Sequence, residues 1–593
     1  MTSDIVGIMR RTIVASAVVA VMGSVVACVS DDSVGPSNDD AGSIAEGDGG
    51  SPPQPDATID DAGNDASGDA ADGATQPGTD GGVDASDAAD TGTDASTPSS
   101  AIGTGDAGNV DAGFPQMNLL EEVTTGTVTN QQGEAVAALP GGGFIWGAQY
   151  QVAIGGTFDF PNWPASGWNS KGAYDILIAS LNGLPSMWWG QSFGSTGIDD
   201  QDLNIKGTLA VMPNGNILFT GSHVGTFGAV GGTALPSNGN YDVFLARIAN
   251  APASGPSGQA VSFGGTDEDG AQTIAVSADG KWVAVGGYFG SSTMNVPGIA
   301  SALTHAVDST DGAVLGYPDN ADAWVAVGST ALGTFTYAAA FGAGGVDDEV
   351  TALAFDANDN LYVGGFVSAA VTFPGGASPT AEGQKDGFVL QLAFSDPDGG
   401  AGPSWSPGWS KSIATDGNDD VQGLAMDPSN HVWVTGMYGD TLQLAGNTLP
   451  ASSQGTTGYL VSYDTTGTAL FASGGAGNGQ ILPYGMAIDT AAGVGNGDVY
   501  VIGLLGGQAT WGGPALVGIG SPNSALLRFS SAGTLLSQRA FVATGSAVYE
   551  SVAVDSTHTV AVAGYIEQAT NFGDGVTSAY FGGWDAFYAL YHF

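Results

Sequence analysis

Acidic residues gather in four short segments, each placed just before an apolar stretch. The segments are Asp199-Asp200, Asp267-Glu268-Asp269, Asp347-Asp348-Glu349 and Asp419-Asp420. Ca²⁺ prefers oxygen ligands and takes roughly six to eight of them. The segments therefore predict a Ca²⁺ site, or a surface for a cationic partner, with the metal ligands Asp199, Asp200, Asp267, Asp269, Asp347, Asp348, Asp419 and Asp420. A structural alternative stays open, because Asp at the start of a strand also caps turns.

A second candidate site is a loop crowded with aromatic residues. Its members are Phe158, Phe160, Trp163, Trp168 and Tyr174. Aromatic rings offer large, rigid contact areas. The loop is therefore predicted to bind a sugar ring or a protein surface, unless the rings simply bury one another.

No catalytic residue is predicted. The five histidines lie in different parts of the chain, and neither a His-Glu-x-x-His motif, a Gly-x-Ser-x-Gly elbow nor a phosphate loop is present. A non-enzymatic role is favoured. Paired carboxylates for glycoside cleavage remain an alternative, since the acidic segments offer several pairs.

Composition narrows both the partners and the fold. The net charge is −49, with 10 basic residues against 59 acidic ones, so nucleic acid is excluded as a partner. Charged residues make up only 12% of the chain and 97 residues are Gly. Long amphipathic helices are therefore not expected, and short apolar stretches in a Gly-rich chain favour an all-β fold.

A repeating unit positions the acidic segments. It consists of an Asp-rich turn, an apolar strand, a tight turn, a second apolar strand and Gly, as in residues 350–365 and 421–436. Seven copies occur, each followed by a variable loop, a third strand and in most copies a fourth. The third strand carries Asp at one position in five copies: Asp175, Asp242, Asp322, Asp386 and Asp585. Four antiparallel strands repeated seven times predict a seven-bladed β-propeller over residues 114–593.

The last copy ends at Phe593 after its third strand. A segment at about 116–126 has the character of a fourth strand. We therefore expect the N-terminal strand to complete the last blade and close the ring.

The repeat resembles the SBBP-type seven-bladed propeller family. The matching positions in one copy are Asp348, Ala352, Ala354, Phe355, Asp356, Asn360, Tyr362, Val363 and Gly365. The resemblance covers about residues 116–593 and implies the fold. It implies little about activity, because such propellers are mostly extracellular proteins without an assigned reaction.

The N-terminal residues predict that the protein is exported. Arg10 and Arg11 precede an uncharged apolar run that ends at Ala27, which is typical of a signal peptide over 1–27. Cys28, the only cysteine, follows small residues and resembles the lipidated cysteine of bacterial lipoproteins. An ordinary cleaved signal is the alternative. Val29 and Ser30 follow the cysteine, which by the same analogy favours the outer membrane and the cell surface.

Residues 28–113 are rich in Asp, Ala and Gly, and predict a disordered linker that resembles the stalks of myxobacterial surface lipoproteins. The leading hypothesis is a monomeric, lipid-anchored module that binds a polysaccharide or an extracellular protein and contacts the membrane only through its lipid. The alternatives are an extracellular carbohydrate-active enzyme, a lyase or glycosidase, and a structural envelope protein. No cofactor besides Ca²⁺ is suggested.

Overall fold

A computed structural model describes the chain in fifteen ranges. They are 118–125, 130–151, 157–158, 168–169, 175–181, 187–194, 208–230, 233–250, 257–305, 321–343, 346–373, 384–397, 402–519, 522–573 and 576–592. Every regular element in these ranges is a β-strand, which confirms the predicted all-β class. Within them, no helix is long and apolar enough to cross a membrane.

The strands follow one another closely. The first fourteen are β1 (Asn118–Thr125), β2 (Gln131–Ala138), β3 (Phe144–Tyr150), β4 (Thr157–Phe158), β5 (Trp168–Asn169), β6 (Asp175–Leu181), β7 (Met187–Phe193), β8 (Leu209–Val211), β9 (Ile217–His223), β10 (Thr226–Val230), β11 (Thr233–Pro236), β12 (Asp242–Ile248), β13 (Gly258–Phe263) and β14 (Asp269–Val276). The next fourteen are β15 (Trp282–Phe289), β16 (Thr293–Met294), β17 (Leu303–Thr304), β18 (Asp322–Ser329), β19 (Phe335–Phe341), β20 (Glu349–Phe355), β21 (Leu361–Val367), β22 (Asp386–Ser395), β23 (Ser404–Ile413), β24 (Gly423–Met426), β25 (Val432–Tyr438), β26 (Leu442–Leu444), β27 (Asn447–Leu449) and β28 (Thr457–Tyr463). The last thirteen are β29 (Ala469–Gly474), β30 (Ala476–Gly477), β31 (Gln480–Ile488), β32 (Val499–Gly506), β33 (Gln508–Thr510), β34 (Leu516–Val517), β35 (Asn523–Phe529), β36 (Leu535–Phe541), β37 (Ala547–Val554), β38 (Val560–Ile566), β39 (Asn571–Gly573), β40 (Val576–Thr577) and β41 (Asp585–His592).

Seven four-stranded antiparallel sheets dominate the described part of the chain. In chain order, with each strand beside its hydrogen-bonded neighbour, they are sheet 1 (β2-β3-β6-β7), sheet 2 (β8-β9-β12-β13), sheet 3 (β14-β15-β18-β19), sheet 4 (β20-β21-β22-β23), sheet 5 (β24-β25-β28-β29), sheet 6 (β31-β32-β35-β36) and sheet 7 (β37-β38-β41-β1). In six of these units a smaller sheet is formed by the loop between the second and third strands, where the repeats vary; in the sheet 6 unit it also includes β30, which precedes β31. The predicted four-stranded repeat is confirmed.

The first strands of the sheets form a closed ring. Each contacts the first strand of the next sheet, and β37 of sheet 7 contacts β2 of sheet 1. This cyclic order of antiparallel sheets is β-propeller-like, and it leaves few strand edges exposed.

A hydrophobic cluster fills every seam between neighbouring sheets. Alternate side chains of one strand face opposite seams: Ile145 packs toward sheet 2, whereas Trp146 packs toward sheet 7, with its ring 6.0 Å from that of Tyr588. The second and third strands are therefore covered on both faces, and most are buried along their whole length.

The first strands share a bulge near their beginning. A one-residue register shift occurs in sheets 1, 3, 4, 6 and 7. The backbone at the bulge approaches the glycine that ends each repeat. A Cβ on Gly365 would lie 1.9 Å from the carbonyl oxygen of Glu349, and one on Gly564 equally close to that of Val548. The repeat glycine is thus required by the bulge, and bulges commonly re-aim a side chain.

The fourth strand of sheet 7 comes from the other end of the chain. β1 pairs antiparallel with β41, from Asn118 opposite His592 to Thr125 opposite Ala586. Since β41 is also paired with β38, loss of β1 would expose the backbone groups of a central strand.

Deletion of residues 118–125 from the full chain is expected to lower Tm by roughly 10 °C or more, because sheet 7 would lose its outer strand and the ring its closing contact. Differential scanning calorimetry measures the shift. Leu120→Ala is the control, since this side chain of the same strand is 44% exposed and should change little. An unchanged melt for the deletion would show that β1 does not hold the ring closed.

Candidate functional site

The acidic segments contain a repeated buried carboxylate. Asp269 lies three positions before Gln272, the extra residue in the bulge of β14, and is fully buried. Its Oδ2 accepts from the Gly265 backbone N–H (2.5 Å) and the Ser291 hydroxyl (2.8 Å). One side chain thus ties the end of sheet 2 to the second strand of sheet 3.

The same arrangement recurs at the next two seams. Asp348 accepts from the backbone N–H groups of Ala343 (2.8 Å) and Ser368 (2.7 Å). Asp419 accepts from those of Thr415 (2.5 Å) and Gly439 (3.0 Å). These three carboxylates therefore tie neighbouring sheets together through hydrogen bonds from backbone N–H groups.

A second buried carboxylate begins the third strands. Asp242 accepts from the Asn238 backbone N–H, and Asp585 from that of Phe581 at 2.5 Å. Asn523 holds the equivalent place in sheet 6 and accepts from the Ile519 N–H at 2.9 Å. A neutral amide thus suffices for this cap.

At the seam between sheets 2 and 3 the two kinds of carboxylate face one glycine. A Cβ on Gly264 would lie 2.0 Å from Asp242 Oδ1 and 3.0 Å from Asp269 Oδ2. This contact explains why Gly follows Phe263 at the end of the fourth strand. Burial raises the pKa of Asp269 to about 7, against hydrogen bonds that lower it, and the nearby Asp242 charge raises it further.

The other two carboxyl groups that tie sheets together also have raised pKa values. Burial raises the pKa of Asp348 to about 7 and that of Asp419 to about 6. Buried carboxyls bonded to the backbone offer little to a ligand in solution. Among the residues that the structure describes, no three His, Cys, Asp or Glu side chains lie close enough to hold a metal ion.

The other predicted metal ligands are placed differently. Asp267 is exposed, Asp347 is partly exposed, and Asp420 accepts from the Met437 N–H at 2.9 Å and from Gln422 at 2.8 Å. Asp199 and Asp200 lie outside the described residues. So do the side chains of the predicted aromatic site, Phe158, Phe160, Trp163, Trp168 and Tyr174, and the predicted lipidation site, Cys28.

Three bulge residues from consecutive sheets create a site that the sequence reading missed. Glu134, Tyr484 and Glu550 are the extra residues in the first strands of sheets 1, 6 and 7. Each directly precedes the apolar core of its repeat, so alignment of the repeats on their final glycine could have revealed them.

These residues meet three others at the ends of strands in sheet 7. Tyr565 lies near the end of β38, Glu567 follows that strand and Trp584 precedes β41. We call the set the acidic–aromatic cluster; its members are Glu134, Tyr484, Glu550, Tyr565, Glu567 and Trp584. Glu550, Glu567 and Trp584 are partly exposed, so the cluster reaches solvent.

Hydrogen bonds and ring packing fix the geometry of the cluster. Glu567 accepts from the Trp584 indole N–H and from the Ser546 hydroxyl, both at 2.5 Å. The Trp584 ring packs on Tyr565 with centroids 5.2 Å apart and planes at 32°. Burial raises the pKa of Tyr565 well above its usual value, and the carboxylates Glu550, Glu567 and Glu134 raise it further.

A groove of about 440 Å³ lies at the seam between sheets 2 and 3. It is lined by uncharged residues from the end of β13 and the β16 region, among them Ser262 and Thr293. The Ser262 hydroxyl lies 2.7 Å from His223 Nε2. Burial lowers the pKa of His223 to about 4, so this imidazole is neutral at pH 7.

No protein-family profile matches the chain, and no curated protein matches it. Solved structures with a related arrangement include Sqt1 from Chaetomium thermophilum bound to the N-terminus of ribosomal protein L10 (10% identity, 80% of this chain and 100% of that chain, TM-score 0.33). Others are the intramolecular trans-sialidase from Ruminococcus gnavus (11%, 81% and 98%, 0.30) and the polysaccharide lyase Uly1 (11%, 80% and 99%, 0.33).

Asp269→Asn should remove a pH dependence of stability. The folded pKa of Asp269, about 7, exceeds its ordinary value of 3.8, so its stabilising contribution is largest below that value and is lost as the pH rises to 7. Between pH 5 and 7, wild type should lose about 1.4 kcal/mol per pH unit relative to the variant. Urea unfolding at pH 5, 6, 7 and 8 measures the difference; parallel curves for the two proteins would contradict the burial-driven shift.

Proposed function

We propose that the folded part of this chain is a seven-bladed β-propeller that acts as an extracellular binding module. Seven four-stranded sheets, the ring of first strands and the pairing of β1 with β41 support the blade count. Each sheet is one blade, and β1 completes the last.

The acidic–aromatic cluster carries the proposal. It combines aromatic rings with carboxylates that reach solvent, at the end of the ring where the first strands begin. Rings and polar groups held in fixed positions recognise ligands at low entropic cost. Asp269, Asp348, Asp419 and Asp585, whose pKa values of about 6 or about 7 suit proton transfer best, are instead buried. The solvent-facing geometry therefore favours contact with a ligand over chemistry on it.

We include two exposed aromatic residues in the proposed binding surface. Tyr580 and Phe581 are 43% and 41% exposed and stand shortly before Trp584 in the chain. Large exposed aromatic side chains are typical of binding surfaces. A polysaccharide or an extracellular protein is the proposed ligand.

The proposed location is the cell surface, with the protein held by a lipid on Cys28. The charged and apolar parts of residues 1–27 support export, and the Asp/Ala/Gly composition of 28–113 supports a spacer between anchor and propeller. The anchor is tested by two measurements: whether globomycin blocks cleavage of the signal peptide, and whether Cys28→Ser abolishes that cleavage.

Binding of the full chain to neutral, acidic and basic polysaccharides, and to cell-surface proteins, tests the module. We expect saturable binding to at least one of them. The double variant Tyr580→Ser/Phe581→Ser should weaken that binding at least tenfold with little change in Tm, because both side chains are exposed.

Leu470→Ser is the matched control, since it removes a 51% exposed apolar side chain from the outer strand β29. Its affinity should equal that of wild type. If the chain binds no member of the panel saturably, the proposal of a binding module is rejected.

A further inference from the structure

Negative charge converges on one largely buried tyrosine in the acidic–aromatic cluster. Among the titratable groups, Glu550 acts most strongly on Tyr565, followed by Tyr484 and then by Glu567 and Glu134. Those of Glu550 and Asp420 act on Tyr484. Two phenols and several carboxylates from four blades thus share one region.

The Tyr565 hydroxyl gives an independent sign of a ligand. Only 8% of this side chain is exposed, and the hydroxyl has no hydrogen-bond partner in the described part of the chain. A phenol that is largely buried and makes no hydrogen bond within the described part of the chain keeps its donor and acceptor capacity for a bound group. The neighbouring carboxylates only accept hydrogen bonds. The Tyr565 hydroxyl is therefore placed to accept one from a bound donor.

The surroundings of this hydroxyl are apolar and aromatic. Leu482, Leu504 and Val548 pack with Tyr484 and Tyr565, and Met437 and Trp584 lie against them. Aromatic faces attract cations, most strongly where water is excluded. Carboxylates beside ring faces are therefore a complementary setting for an organic cation.

The chain's own cations are engaged elsewhere. Among the described residues, Lys281 pairs with Asp279 at 2.6 Å and Arg528 pairs with Asp498 at 2.6 Å. The others are placed as follows: Arg247 donates to Thr330 and Gln259, Lys385 lies over Phe366, Lys411 over Trp409 and Arg539 over Tyr591.

We propose that the acidic–aromatic cluster binds an alkylammonium group presented by the ligand. Its N–H donors would meet the Tyr565 hydroxyl and the carboxylates of Glu550 and Glu567, while its carbon chain lies on the Trp584 ring. A bare metal ion suits the site less well, because ring faces and Met437 offer it no oxygen. This inference rests on the proposed binding function and names the ligand chemistry.

Isothermal titration calorimetry of the full chain tests the inference. The ammonium has two natural sources, an amino sugar and a lysine side chain. The probes are a glucosamine oligomer and a lysine tetrapeptide, each beside its N-acetylated, uncharged counterpart. We expect one charged probe to bind and its acetylated form to bind at least tenfold more weakly; which probe binds identifies the source.

Charge-removing variants locate the site. Glu550→Gln and Glu567→Gln keep the size of the side chain and should each weaken binding of the charged probe at least tenfold. Tyr565→Phe should weaken it as well, since it removes only the hydroxyl. Asp396→Asn is the matched control, because it removes one exposed charge beyond the far end of β22 and should leave affinity unchanged.

The outcomes separate this inference from the proposed function. Equal binding of a charged probe and its acetylated form, or binding that Glu550→Gln and Glu567→Gln do not change, overturns the ammonium site and leaves a binding module standing. Saturable binding of Ca²⁺ that Glu550→Gln abolishes would assign the cluster to a metal ion and also overturn it. Binding of none of the probes, when another polysaccharide or a protein binds, rejects the inference alone.

Discussion

Closure of the ring of first strands is the constraint on which the rest of this molecule depends. Each sheet has both faces covered by its neighbours, so no sheet has a complete core of its own. The last seam brings β37 against β2, where the Val136 N–H donates to the Ser551 hydroxyl at 3.1 Å. Gly133 fits there because a Cβ would lie 2.8 Å from the carbonyl oxygens of Gly564 and Phe587. Residues far apart in sequence therefore complete one another's burial.

Buried carboxylates reinforce several of these seams at an electrostatic cost. Asp269, Asp348 and Asp419 satisfy backbone donors that would otherwise lose their partners as the sheets pack. The raised pKa values express that cost, since burial disfavours the charged form. At these three positions the acidic side chains act in holding the fold together.

The repeat frame uses its acidic residues in two different ways. In sheets 3 and 4, the residue three positions before the bulge residue is a buried Asp. In sheets 6, 7 and 1, the same position holds Ile481, Ala547 and Gln131. In the latter three sheets the bulge residue itself is Tyr484, Glu550 or Glu134. Sheets 3 and 4 thus use these carboxylates in packing between sheets, whereas the bulge residues of sheets 6, 7 and 1 form part of the acidic–aromatic cluster.

The sequence by itself determined the all-β class, the four-stranded repeat and the position of each repeat's glycine, because alternating apolar residues and tight turns are local signals. It also marked the N-terminal strand by the missing strand of the last repeat. Only the tertiary structure decided which carboxylates are buried: Asp267 and Asp269 belong to one predicted segment, yet the first is exposed and the second ties two sheets together. The acidic–aromatic cluster was likewise beyond sequence reasoning, since a bulge redirects Glu134, Tyr484 and Glu550, and ring closure unites residues more than 400 positions apart, such as Glu134 and Glu550. Burial and proximity are properties of the closed ring, and no single repeat contains them.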